Sequence, residues 1–110
     1  MATDAQAALS AALDRLWTQF LPQVRERIAV LETAAKACAT GPLTAERQQQ
    51  AQSAAHKLAG ILGTFGLTRG TVLARELEVI YSRQNDSDPQ LAERLMSAAV
   101  ELRTIVASRK

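Results

Sequence analysis

His56 is the only histidine in this chain, and the residues around it narrow what it can do. It lies in Ala55-His56-Lys57-Leu58-Ala59-Gly60-Ile61-Leu62-Gly63-Thr64-Phe65-Gly66, a stretch holding three of the five glycines. On a helix of about 100° per residue, Ala51, Ala54, Leu58, Ile61, Leu62 and Phe65 fall on the half opposite His56. Gln49, Gln52, Ser53, Ala59, Gly60 and Gly63 fall on its own side. The imidazole is therefore expected to point away from the apolar stripe, ringed by small residues. A metal site would want a second ligand; there is no other histidine, Cys38 maps to another helix face, and no Asp or Glu is placed nearby. Ser–His or Cys–His catalysis needs a third orienting group and a shaped pocket, which a chain of this size hardly offers. What remains is an exposed imidazole, itself a nucleophile. A neutral ring nitrogen can attack a phosphoryl group and hold it, with a neighbouring cation offsetting the added charge. Lys57, about 100° round the helix, is either that cation or an ordinary solvated lysine.

Gly60 and Gly63 are helix-interior by pattern, and each should cost about 0.5–1 kcal/mol relative to alanine. They sit at about 40° and −20° from His56 on the wheel. Two accounts fit. Glycine admits a neighbouring helix, or it clears space for a partner that must reach the ring. The apolar stripe lies on the other side, so clearance is the better account.

The elements that must carry this stretch follow from composition and periodicity. The 110 residues suit one domain with a modest core. Residues AVILMFWYC make up 47%, with alanine prominent, while aromatics are 4%; this is the composition of a helical protein. No apolar run of about 18 residues exists, and Met1-Ala2-Thr3-Asp4 lacks the features of a signal peptide. With a single cysteine and no leader, the cytoplasm is the expected compartment. The net charge of +2 comes from thirteen basic residues scattered among eleven acids, without the clustered charge and aromatic platforms of a nucleic-acid surface.

Residues 4–20 read as helix, capped by Thr3 or Asp4, with Leu9, Ala12, Leu13, Leu16, Trp17 and Phe20 on one apolar face. Pro22 removes a backbone donor, so the helix should kink or break there. Residues 22–39 continue it with Val24, Ile28, Leu31, Ala35 and Cys38 facing the core, until Gly41-Pro42 ends it. A further helix over 45–65 is capped by Thr44, with Gly66 just past its end. The next covers 68–84, with Leu73, Leu77 and Ile80 as its stripe and Val72 and Val79 beside it. After the turn at Asn85-Asp86-Ser87-Asp88, Asp88 as cap and Pro89 at the first position start a last helix over 89–108. That helix puts Leu91, Leu95, Ala98, Leu102 and Ile105 on one face, with Val106 adjacent. The short connections favour antiparallel neighbours. The expected fold is all-α: a single domain over 1–110, an antiparallel up-and-down four-helix bundle whose N-terminal segment is kinked or broken near Pro22.

The run Ala55-His56-Lys57-Leu58-Ala59-Gly60, then Gly63, Phe65-Gly66-Leu67 and Ala74-Arg75-Glu76-Leu77-Glu78, resembles the histidine-containing phosphotransfer (HPt) domain. The resemblance covers most of the chain, including helix order and the long lead-in. It implies a four-helix bundle in which His56 is the phospho-acceptor on an exposed mid-helix face. It further implies that His56 takes a phosphoryl group from the aspartyl phosphate of a response-regulator receiver domain and hands it to another receiver. Gly60 matches the glycine that gives the receiver room, and Lys57 stands where the family is often basic. Gln49, Gln52, Ser53, Ala59, Gly60 and Gly63 would form the docking face. One departure is Ala59, where many members carry lysine; Ile61 and Leu62 also replace small serines. The resemblance implies a phosphocarrier rather than an autonomous enzyme. It implies no cofactor or metal of its own, a receiver that brings a divalent metal, and a monomer. A hybrid sensor histidine kinase is a further candidate partner, with no nucleic acid and no membrane insertion. The competing readings are a phosphate-independent receiver-binding or adaptor module of the same fold, motivated by Ala59, and a weak nucleic-acid binder, resting only on the pI of about 9.1.

Overall fold

A computed structural model describes residues 4–83 and 89–109; the expected Thr3 cap and the Asn85–Asp88 turn with its Asp88 cap lie outside them. Four helices follow one another: α1 (Asp4–Thr40), α2 (Ala45–Thr64), α3 (Thr68–Ser82) and α4 (Pro89–Ser108). Each packs against two neighbours, α1 on α2 and α4, α3 on α2 and α4, while α1–α3 and α2–α4 lie across the diagonals. Every packed pair runs antiparallel, as the cross-links show. Phe20 of α1 meets Phe65, just past the end of α2, and Gly70 of α3 meets Leu102 of α4. Glu32 of α1 pairs with Arg103 of α4, and Asp14 with Arg109 beyond its end. This is the up-and-down bundle that the periodicity implies.

The proline does not break α1. The helix is continuous from Asp4 to Thr40 with Pro22 inside it, so the broken alternative is wrong. A proline in a helix interior costs about 3 kcal/mol. Here Pro22 is exposed, so the carbonyl one turn back that loses its donor lies toward water. Trp17 before it and Val24, Ile28 and Leu31 after it are all buried, and this burial holds one axis across the proline.

The core is made by Trp17, Val24, Ile28 and Leu31 from α1, Leu58 and Leu62 from α2, Leu73, Leu77 and Tyr81 from α3, and Leu95 and Leu102 from α4, with alanines between them. Two expected faces shift. Leu9 and Leu16 of the first stripe are exposed, because the bundle begins near Trp17. In α4 the buried set is Ala92, Leu95, Ala99, Leu102 and Val106, leaving Leu91, Ala98 and Ile105 half-buried at the flank.

The ends of α2 follow the expected chemistry. Thr44 is extended, and its hydroxyl accepts from the Arg47 amide at 3.1 Å. At the other end Gly66 has φ +71°, a left-handed conformation that glycine adopts without steric cost. The Leu67 amide donates to the Leu62 carbonyl at 2.9 Å and the Gly66 amide to Gly63 at 3.2 Å, the paired bonds of a Schellman stop. This tight turn fixes the register of α3 against α2. Gln48 locks the far end, where its amide nitrogen donates to the Tyr81 carbonyl at 2.9 Å and also to that of Arg83.

Candidate functional site

With the register locked at both ends, the middle of α2 faces the middle of α3. There the Nδ1 atom of His56 lies 2.7 Å from Oε2 of Glu78. A carboxylate has only acceptors to offer, so Nδ1 carries the proton and donates. In the neutral ring this leaves Nε2 with its lone pair free. The His56 side chain is 72% exposed, so the free nitrogen is open to a partner. Glu78 is more sheltered, at 29%. The arrangement is an outward nucleophile held in one tautomer and one orientation by a carboxylate behind it.

The sequence reading placed no acid near His56, and Glu78 overturns that. Its signal was present in Ala74-Arg75-Glu76-Leu77-Glu78. Glu78 stands four residues after Ala74 and three before Tyr81, both fully buried, so it occupies a position on the inner stripe of α3. An acid at a core-facing position calls for a partner, and the partner is His56.

The other expected site residues separate into groups. Gln49, Ser53, Lys57, Gly60 and Gly63 are exposed, and Gln52 is half-buried. Ala59 is buried at 4%, so it does not belong to an exposed docking face. It lies about 60° round the wheel from His56, on the side away from Lys57 and Gly60. That side carries Ala55 and Leu62, both fully buried. His56, Lys57 and Gly60 meet in a groove of about 380 Å³ between α1 and α2, with Phe20, Ile61 and Phe65 supplying its apolar wall. Gln49 and Ser53 line a second, more polar groove of about 550 Å³ between the same two helices.

The two glycines are not packing devices. A Cβ at Gly60 would meet nothing within 4 Å, and one at Gly63 would make only ordinary contact with Thr71 Oγ1 at 3.7 Å. Close helix approach belongs to Gly70 instead, where a Cβ would stand 3.0 Å from Leu62 Cδ1. Gly60 and Gly63 therefore weaken α2 without serving the bundle, and their effect is an open surface beside the ring.

Among the described residues no group of three or more His, Cys, Asp or Glu side chains could hold a metal ion. No described helix is long and apolar enough to cross a membrane.

The sequence matches the Hpt domain family over residues 15–108. It is similar to protein RcaC of Microchaete diplosiphon, 42% identical over 76 residues. That alignment covers 69% of this chain but only 12% of RcaC, so the chain spans about an eighth of that relative. No solved structure matches significantly.

Proposed function

This chain belongs to the Hpt domain family, whose members carry out histidine phosphotransfer in phosphorelays, and on that premise we propose that His56 is its phospho-acceptor. Nε2 takes a phosphoryl group from the aspartyl phosphate of a response-regulator receiver domain and passes it to a second receiver. The observation that carries this reading is the Nδ1–Glu78 hydrogen bond beneath an exposed ring.

The chemistry balances without a proton leaving the site. The Nε2 lone pair forms the N–P bond as the P–O bond to the aspartyl carboxylate breaks, and that carboxylate departs with the electron pair. Nδ1 keeps its hydrogen, so the phosphorylated ring is an imidazolium, and its positive charge lies against Glu78. The Glu78 carboxylate thus favours the product ring as well as the reactive tautomer. Transfer onward is the reverse. The barrier to phosphoryl transfer is lowered mainly by positioning and charge, which on this reading the receiver supplies with its own divalent metal. The chain acts as a phosphocarrier with no cofactor of its own.

Docking uses the open face around His56, Gly60 and Gly63, with Gln49, Gln52 and Ser53 at its edge, in a small transient contact. We place the protein in the cytoplasm as a monomer, with receiver domains as partners and a hybrid sensor histidine kinase as a candidate source of phosphate.

The test is transfer of labelled phosphate from a phosphorylated receiver. The expected product is acid-labile and base-stable on the wild-type chain and absent on His56→Gln. Gly60→Gln, whose Cβ meets nothing within 4 Å, should keep the fold and slow transfer through weaker docking. Receiver binding that survives His56→Ala, with no phosphohistidine on the wild type, would show a binding module instead of a carrier.

A further inference from the structure

The phosphoryl group on His56 calls for a cation, and Ala59 offers only a buried methyl group. The hydrogen bond to Glu78 leaves Nε2 as the nitrogen that would carry the group. Nδ1 and Nε2 flank Cε1 and point well over a right angle apart, so a ring whose Nδ1 is held by Glu78 of α3 does not aim Nε2 at the same carboxylate. α2 packs on α1 as well as on α3, and His56 also lines the groove between α1 and α2. There the groove beside His56 is crossed by one cation from α1, Arg27, which lines it together with Lys57 and Gly60.

Arg27 is unusual among the charged residues. It is half-buried, and its Nε is enclosed without a hydrogen-bond partner. A buried donor left unsatisfied is destabilising unless something arrives to accept from it. The ion pairs of the described residues join His56 to Glu78, Arg69 to Glu101, Arg103 to Glu32 and Arg109 to Asp14, and Arg27 takes part in none. Glu26 and Glu46 line the neighbouring polar groove with it, yet neither pairs with it. A guanidinium without an ion pair can turn toward an incoming anion without first breaking one. Its planar array of donors also matches phosphoryl oxygens better than an ammonium does.

We propose that Arg27 is a phosphate-holding residue: its guanidinium binds the phosphoryl oxygens on Nε2 of phosphorylated His56, across the α1–α2 groove, with Lys57 beside it. The inference rests on His56 being the acceptor and adds the residue that neutralises what it accepts. It places the second half of the site on α1, a helix remote in sequence from the histidine motif.

The test uses phosphoramidate, a small phosphodonor that needs no receiver, with the full chain and its variants Arg27→Gln, Arg27→Lys and Lys57→Gln. Phosphorus NMR then follows the titration of the phosphoryl group. A cation in contact favours the dianion, so the midpoint should rise by about half a unit or more in Arg27→Gln and return toward the wild-type value in Arg27→Lys. In the unmutated protein the Arg27 Nε–H resonance should move downfield on phosphorylation, which does not depend on any variant folding. Equal midpoints in wild type and Arg27→Gln, or an unmoved Nε–H resonance, overturn the role of Arg27 while leaving the carrier reading intact. A midpoint that moves only in Lys57→Gln does the same. Failure of the wild-type chain to take any phosphoryl group on His56 removes the carrier reading itself.

Discussion

Glu78 acts on His56 by choosing which nitrogen is free. Its carboxylate can only accept, so it admits one neutral tautomer. In Glu78→Gln the amide NH₂ can donate to Nδ1, which permits the tautomer with the proton on Nε2. The expected result is a mixed tautomer population in the nitrogen NMR of the ring and a phosphotransfer rate lower by about tenfold, equivalent to about 1.4 kcal/mol in the barrier. A wild-type ring that carries its neutral-state proton on Nε2 would contradict the assignment. The exposure of His56 was legible in the sequence, because a lone histidine opposite an apolar stripe and beside two glycines is a local pattern. Glu78 and Arg27 were not. One is 22 residues away and the other 29; Glu78 bonds His56 and Arg27 shares its groove only through helix packing that a single-helix wheel does not contain. Ala59 shows the same limit from the other side. At about 60° from His56 its exposure depends on how close α3 comes, and α3 comes close enough to bury it.

At the level of the elements, α1 is held to α4 by a pair that the sequence did not reveal. Arg103 Nε donates to Glu32 Oε2 at 3.0 Å, and its NH₂ group donates to the other carboxylate oxygen. This hydrogen bond holds the Glu32 carboxyl below the ordinary carboxylate value of 4.5, with partial burial opposing it and the charge of Arg103 adding to it. A carboxyl whose folded-state value is depressed contributes stability above its unfolded value and loses it as pH falls through the folded one. Glu32→Gln should therefore lower the thermal midpoint at neutral pH, and the gap to wild type should close well below pH 4.5. A gap that persists unchanged in acid would mean that Glu32 acts through packing alone. The helix boundaries were largely legible, because caps are local: Thr44, Gly66 and Gly41-Pro42 each act within a few residues. The fate of Pro22 was not, since a local cost of about 3 kcal/mol is outweighed by burial on both sides of it. Nor was the phase of α4, whose apolar residues cover more than one face, so that only its neighbours decide which of them go inside.

The whole molecule is longer than its bundle. The described residues extend 54 Å along one axis and about 20 Å across. At about 1.5 Å per residue, a helix of 37 residues accounts for the entire long dimension, while the 20-residue α2 covers about 30 Å. The bundle closes at its N-terminal end where Trp17 meets Phe65 edge-on at 5.1 Å and Arg109 stacks 5.0 Å over the Trp17 ring. Residues 4–11 lie beyond this closure and are all exposed, and the family match likewise starts only at residue 15. Turns of helix without tertiary cover are marginal in water even when rich in alanine. Removing residues 1–11 should thus leave the free energy of unfolding in urea within about 0.5 kcal/mol of the full chain, as for exposed changes generally. By contrast Trp17→Ala, which empties the closing cluster, should cost about 3–5 kcal/mol. The two results together locate the edge of the folding unit between Ala11 and Trp17. Phosphorylation of His56 would give a second reading of the same edge, because the groove beside His56 is lined by residues from Phe20 onward and by none of the projecting ones. The truncated chain should take phosphate from phosphoramidate at the full-length rate. A truncation that destabilised the protein or slowed that reaction would show that the projecting turns belong to the working domain and that its boundary lies before residue 12.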